Sequence, residues 1–206
     1  MNPFNPDAGA TPSPVDPAVL AIVERSATLT WRAFPYFEWR FNVRGRAFGR
    51  SDAGFLATLV ALPPSMQHAQ VVWLAKVLSP RGIPSLLLEA QIELLGRVGR
   101  RAGWAGAGVM RELAGSLRTS RRRVMADEQL RICDRYFVAR TAWFKPVRRA
   151  IGALIAAEVA DLHLGYVERA DATLGWLLSN GPADPRWVSA CVEARGLAEA
   201  AAGQLS

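Results

Sequence analysis

Residues 84–101, PSLLLEAQIELLGRVGRR, decide the fold class because their apolar side chains recur with the period of an α-helix. Successive residues of a helix turn by about 100°, so side chains three and four positions apart share one face. The resulting stripe consists of Leu87, Leu88, Gln91, Leu94, Leu95 and Val98. We therefore predict a helix from Pro84 to about Arg101.

Helical patterns recur on both sides of this stretch, whereas strand signals are nearly absent. Asp16 followed by Pro17 predicts a helix start, and Pro35 predicts the end of that helix or a kink. Gly45 and Gly49 predict a loop, and further glycines predict a weak point at 102–108. Ser51 with Asp52 can cap a helix and predicts a helix start there. Further helices are predicted over about 36–42, 51–62, 65–78, 109–123, 126–140, 145–178 and 185–202.

These segments predict an all-α protein, with a single bundle of about seven to nine helices over 16–206 and a disordered tail at 1–15. The tail lacks the basic and apolar regions of a secretory signal, and no apolar run approaches the roughly 20 residues of a membrane span. Cys133 and Cys191 lack the spacing of a disulfide scaffold. We expect a cytoplasmic protein without a membrane partner.

The charge is distributed unevenly along the chain. Residues 25–149 hold 22 Lys or Arg against eight acids, a balance of +14, whereas the whole chain has a net charge of +7. Acids predominate in 1–24 and in 150–206, and they are too few to neutralise the basic middle. Such asymmetry favours an acidic protein partner or nucleic acid.

Residues for metal or nucleophilic chemistry are scarce. The two histidines, His68 and His163, each lack the Glu three positions earlier that a di-iron bundle requires, and the group Glu158, Asp161 and His163 does not share one helix face. Hydrolase, phosphate-loop and dinucleotide-binding motifs are missing. We expect no metal and no cofactor, although a haem ligand at either histidine stays open, and we name no catalytic residue.

The first candidate site lies in residues 31–50, where six of the eleven residues from Trp31 to Phe41 are aromatic. Aromatic rings interleaved with arginines can stack on a ligand and bind its anionic group. Alternatively, the rings form core and the arginines face water or pair with Glu38 and Asp52. The candidate ligand-binding or anion-binding residues are Trp39, Arg40, Arg44, Arg46 and Arg50.

The second candidate site lies between 111 and 123, where Arg111, Arg118 and Arg122 share a helix face. Such a face can contact the phosphates of a polyanion. Alternatively, it is a solvated face that pairs with Asp127 and Glu128. The candidate polyanion-binding residues are Arg111, Arg118, Arg121, Arg122 and Arg123.

These features favour a non-enzymatic regulatory or adaptor-like module whose basic face binds an acidic partner or nucleic acid. The alternative is a helical protein that binds a small anionic or aromatic ligand or cofactor near residues 31–50, with catalysis left open. A structural subunit of a larger complex and a homo-oligomer also stay open.

Overall fold

The computed structural model describes residues 14–144 and 149–203, and all regular structure in these ranges is helical. The predicted all-α class and helix number are therefore confirmed. The predicted tail at 1–15 lies outside the described residues except for Pro14 and Val15. The helices are α1 (Pro17–Ala33), α2 (Pro35–Thr58), α3 (Pro64–Leu78), α4 (Ser85–Arg101), α5 (Ala107–Arg122), α6 (Asp127–Arg140), α7 (Ile151–His163), α8 (Ala172–Asn180) and α9 (Pro185–Gly203).

The start and end of α1 follow from local chemistry, as predicted. The Asp16 carboxylate accepts a hydrogen bond of 2.8 Å from the Ala18 N–H, and Pro17 occupies the first turn, where no N–H is needed. The helix ends at Ala33, and α2 begins only two residues later at Pro35. Helices α1 and α2 pack against each other, and the Trp31 ring of α1 contacts the Phe37 ring of α2.

Helix α2 corrects the prediction of a loop at 45–49. Gly45 and Gly49 both lie inside α2 and are buried. A Cβ atom at Gly45 would lie 2.6 Å from the Phe41 Cβ and 3.0 Å from the Trp31 ring, so glycine is needed here for close packing and not for a turn. Ser51 is likewise buried within α2, so the predicted helix start at that position is wrong.

The backbone irregularity of α2 lies at Asn42 instead. Its φ of 51° and ψ of −148° lie outside the helical region and interrupt the helix. Residues with a side chain rarely adopt such a positive φ. The stretches before and after Asn42 therefore do not share one continuous helical register.

The described residues form two compact units. The first contains the described residues up to Val71 together with Glu89–Ser116, and the second contains Val72–Leu88 and the described residues from Leu117 onward. Helices α1 and α2 belong to the first unit and α6 to α9 to the second, while α3, α4 and α5 contribute to both. A single domain over 16–206 stays a prediction.

The core of the second unit consists of small apolar residues where α6, α7 and α9 pack together. Gly152 of α7 lies against the backbone of α6, because a Cβ atom at this position would lie 2.2 Å from the carbonyl oxygen of Cys133. The cluster consists of Met125, Leu130, Cys133, Ala156, Ala157, Val159, Ala160, Ala170, Ala198 and Ala202.

The predicted continuous helix to Leu178 is wrong, since α7 ends at His163 and α8 starts at Ala172. Gly165 adopts a φ of 68° just after α7, a conformation that turns the chain away from the helix axis. The predicted start at Lys145 and Pro146 lies outside the described residues.

Candidate anion-binding site

A cavity of about 360 Å³ opens between α1 and α2 in the first unit, with one residue of α4 on its wall. Seven of its eleven lining residues belong to the segment 31–50, which the aromatic residues and arginines indicated as a candidate site. Three arginines and one glutamate give its lining a positive balance. The lining residues are Ala27, Thr28, Thr30, Trp31, Arg32, Phe37, Glu38, Arg46, Gly49, Arg50 and Gln91.

Trp31 forms an aromatic wall of this cavity. Its ring meets Phe37 edge-on, with centroids 5.0 Å apart, and the Arg46 guanidinium carbon lies 5.3 Å from its ring centroid. The Trp31 Nε1 atom is buried and makes no hydrogen bond. A buried donor without an acceptor costs about 1–3 kcal/mol, so this indole N–H needs an acceptor.

The arginines at the cavity differ in their partners. Arg46 Nη2 lies 2.5 Å from Glu38 Oε1, and Arg50 Nε lies 3.5 Å from Glu24 Oε2. Arg32 makes no ion pair with another described residue. The Trp31 indole N–H and the Arg46 guanidinium lower the pKa of Glu38, although the indole stops short of hydrogen-bond geometry. Glu38 therefore stays ionised at neutral pH.

Gln91 closes the wall that α4 contributes. Its side-chain Nε2 donates a hydrogen bond of 2.7 Å to the carbonyl oxygen of Gly49, and the residue is buried. This bond ties α4 to α2 at a position where the apolar stripe of α4 contains a polar residue. The sequence shows Gln91 as a polar residue in the stripe. It does not reveal the partner of Gln91, because Gly49 lies 42 residues away along the chain.

Only two of the five predicted ligand-binding residues, Arg46 and Arg50, line the cavity. Arg40 instead donates a hydrogen bond of 2.6 Å to the Tyr36 hydroxyl, and Arg44 lies over the Phe48 ring. Trp39 also lies outside the lining. The division does not follow the interruption at Asn42, because Phe37 and Glu38 before it line the cavity and Arg44 beyond it does not.

The predicted polyanion-binding group is also divided. Arg121 is 2% exposed and donates to the Met125 carbonyl oxygen at 2.9 Å and to Asp127 at 2.6 Å, so it is not part of an exposed basic face. Arg122 is exposed and bonds to the other oxygen of Asp127. Arg122 and then Arg121 hold the pKa of Asp127 far below its usual range, against the opposing effect of burial. Here the alternative of pairing with Asp127 is correct.

The remaining basic residues of this group are more accessible. Arg111 and Arg123 are exposed, and Arg118 is half-buried. Within the first unit, Arg111 shares a groove of about 250 Å³ with Arg97 and Arg100 between α4 and α5. The groove holds one acid, Glu93, whose carboxylate lies 4.0 Å from Arg97.

Two buried carboxylates of α7 bind the starts of other helices in the second unit. Asp161 accepts hydrogen bonds from Ser79 Oγ at 2.7 Å, from the Ser85 N–H at 2.8 Å and from the Ser85 hydroxyl. Glu158 accepts one of 2.6 Å from the Thr173 N–H at the start of α8. Burial raises the pKa of Asp161 to about 6. These acids therefore hold helices in place.

The described residues contain no group of three or more metal-ligating side chains, and His163 is an exposed residue at the end of α7. Within 14–144 and 149–203, no helix combines the length and the apolar character needed to cross a bilayer.

No protein-family model, characterised protein or solved structure matches the chain.

Proposed function

We propose that this protein binds a small anionic ligand in the cavity between α1 and α2. The observation that carries the proposal is the buried Trp31 N–H, which completes no hydrogen bond, although the Glu38 carboxylate lies near it, in a cavity lined by Arg32, Arg46 and Arg50. An anionic oxygen would accept from the indole while guanidinium groups neutralise its charge. The aromatic wall would exclude water and strengthen these contacts.

Calorimetric titration with two probes of the same ring, 2-naphthoate and 2-naphthyl phosphate, tests this proposal. We expect at least one probe to bind, and Trp31→Phe, which removes the indole N–H, to weaken binding about tenfold. The double variant Arg46→Ala/Arg50→Ala should abolish it. Both arginines form exposed ion pairs, so the melting temperature should change little.

Arg44→Ala provides the matched control, because Arg44 belongs to the same helix but lies outside the cavity lining. It removes one positive charge, as Arg46→Ala alone does, and should leave affinity unchanged where Arg46→Ala weakens binding. Equal losses in Arg44→Ala and Arg46→Ala would show that overall charge drives binding and would contradict a site in the cavity.

A second candidate function is polyanion binding at the groove of α4 and α5. The specific observation in its favour is that Arg100 and Arg111 are exposed and pair with no acid among the described residues. Exposed guanidinium groups that pair with no acid can contact phosphates without first breaking an ion pair. This interaction would suit an adaptor-like module whose partner is nucleic acid or an acidic protein.

A further inference from the structure

We infer that the cavity ligand is a carboxylate joined to a flat ring, and that Glu38 occupies the carboxylate position until the ligand displaces it. The inference rests on the proposed function and assigns its ligand class. The first observation is that the carboxylate of Glu38 already lies on Arg46, 2.5 Å from Nη2, within the cavity lining. The protein's own side chain thus shows which anionic group the Arg46 guanidinium binds.

The charges of the cavity favour a carboxylate over a phosphate. Three arginines face one glutamate in the lining, and Glu24 partly neutralises Arg50 from outside. With Glu38 still beside the cavity after its displacement, the remaining positive charge matches a single negative charge better than the roughly two charges of a phosphate monoester at neutral pH.

The aromatic wall defines the rest of the ligand. Trp31 and Phe37 both line the cavity, and their rings meet at an interplanar angle of 88°. A flat ring can stack on a face and contact an edge favourably. The cavity of about 360 Å³ is at the small end of the roughly 300–1,000 Å³ typical of small-molecule sites, which favours a compact ring system.

Displacement of Glu38 requires only a local movement. Its side chain is 54% exposed and that of Arg46 is 51% exposed, so the carboxylate can rotate into water while the guanidinium stays at the cavity. The displaced carboxylate remains nearby and repels an incoming anion. Glu38 therefore lowers the affinity for the ligand, and its neutralisation should raise it.

The test measures the affinity of 2-naphthoate for the full chain and for Glu38→Gln by calorimetry at neutral pH. Removing a competing charge at contact distance should tighten binding about fivefold to tenfold. Glu112→Gln is the matched control, because Glu112 is an exposed acid of the first unit outside the cavity lining. It should leave affinity unchanged. Neither 2-naphthylmethanol, which lacks the carboxylate, nor acetate, which lacks the ring, should bind measurably.

Unchanged or weaker binding of 2-naphthoate by Glu38→Gln would overturn the displacement of Glu38 while leaving the proposed function intact. Binding of 2-naphthyl phosphate without binding of 2-naphthoate would overturn the assignment of the ligand as a carboxylate. The proposed function would again remain intact. If neither anion binds the full chain or Glu38→Gln, the proposed function and this inference both fail.

Discussion

Gly152 determines how closely α7 approaches α6 in the second unit. A Cβ atom there would lie 2.2 Å from the Cys133 carbonyl oxygen and 2.7 Å from the Asp134 Cα. These are backbone atoms that cannot move aside without separating the helices. We expect Gly152→Ala to lower the free energy of unfolding by about 2–3 kcal/mol, measured by urea denaturation.

Gly175 in α8 is the control for this change, because nothing lies within 4 Å of a Cβ atom at that position. Gly175→Ala should keep or raise stability by up to about 1 kcal/mol, since alanine favours the helix. If Gly152→Ala proved as stable as Gly175→Ala, the close approach of α7 and α6 would be contradicted.

Asp161 gives the second prediction at the scale of single residues. Burial raises the pKa of Asp161 from 3.8 to about 6 in the folded state, so between these values the folded protein binds more protons than the unfolded chain. The free energy of unfolding contributed by Asp161 should therefore fall by up to about 3 kcal/mol as the pH rises from 4 to 6. Below the unfolded-state pKa this contribution is fully present.

Asp161→Asn isolates that contribution from other groups. The pKa values of Asp127 and Glu128 are lowered by their arginine partners, so these acids stabilise the fold more as the pH rises. Subtracting the stability of Asp161→Asn from that of the wild type removes such common effects. The difference should decrease between pH 4 and 6, and a constant difference would contradict the raised pKa.

At the scale of helices, Asn42 controls the course of α2. Its φ of 51° favours glycine, so Asn42→Gly should raise the free energy of unfolding by about 1 kcal/mol and Asn42→Ala should lower it by about as much. The neighbouring Val43 is 80% exposed in helical conformation, and Val43→Gly should cost about 0.5 kcal/mol. Thermal denaturation of the three variants checks the prediction, and a loss in Asn42→Gly would refute it.

The sequence predicted helix boundaries where their causes are local. Asp16 and Pro17 start α1, and Asp184 followed by Pro185 starts α9, through caps and prolines that act on neighbouring residues. The sequence did not reveal that Gly45 lies inside a helix, because the need for glycine there comes from the close approach of the Trp31 ring of another helix. The start of α8 similarly depends on a buried carboxylate 15 residues earlier.

At the scale of the whole molecule, composition located the candidate segment but not the cavity. Six aromatic residues between 31 and 41 marked the region, and Arg46 and Arg50 were correctly included. The pairing of Arg46 with Glu38 lies within α2 and was one of the alternatives that the sequence offered. The buried N–H of Trp31 depends on how α1 packs on α2, which residue spacing does not determine. Likewise, the charge of residues 118–123 did not reveal that Arg121 is buried against Asp127.

The excess of basic residues over 25–149 leads to the last prediction. We expect the protein to bind duplex DNA or heparin with an affinity that falls steeply as salt rises, because each phosphate or sulfate contact releases counterions. Arg100→Ala/Arg111→Ala should weaken binding and reduce the slope of log affinity against log salt by roughly 2, since each contact contributes about 0.9. Fluorescence anisotropy of labelled DNA across a salt series measures both quantities.

Arg131→Ala/Arg135→Ala removes the same total charge from α6 and serves as the control. Both of these arginines bond to Glu128, at 2.7 Å from Nη2 in each case, so their charge is already partly neutralised. Their loss should change the salt slope by much less than the loss of Arg100 and Arg111, whose guanidinium groups pair with no acid in the described ranges. Equal changes in the two double variants would show that DNA responds to net charge alone, and the groove of α4 and α5 would then have no specific role.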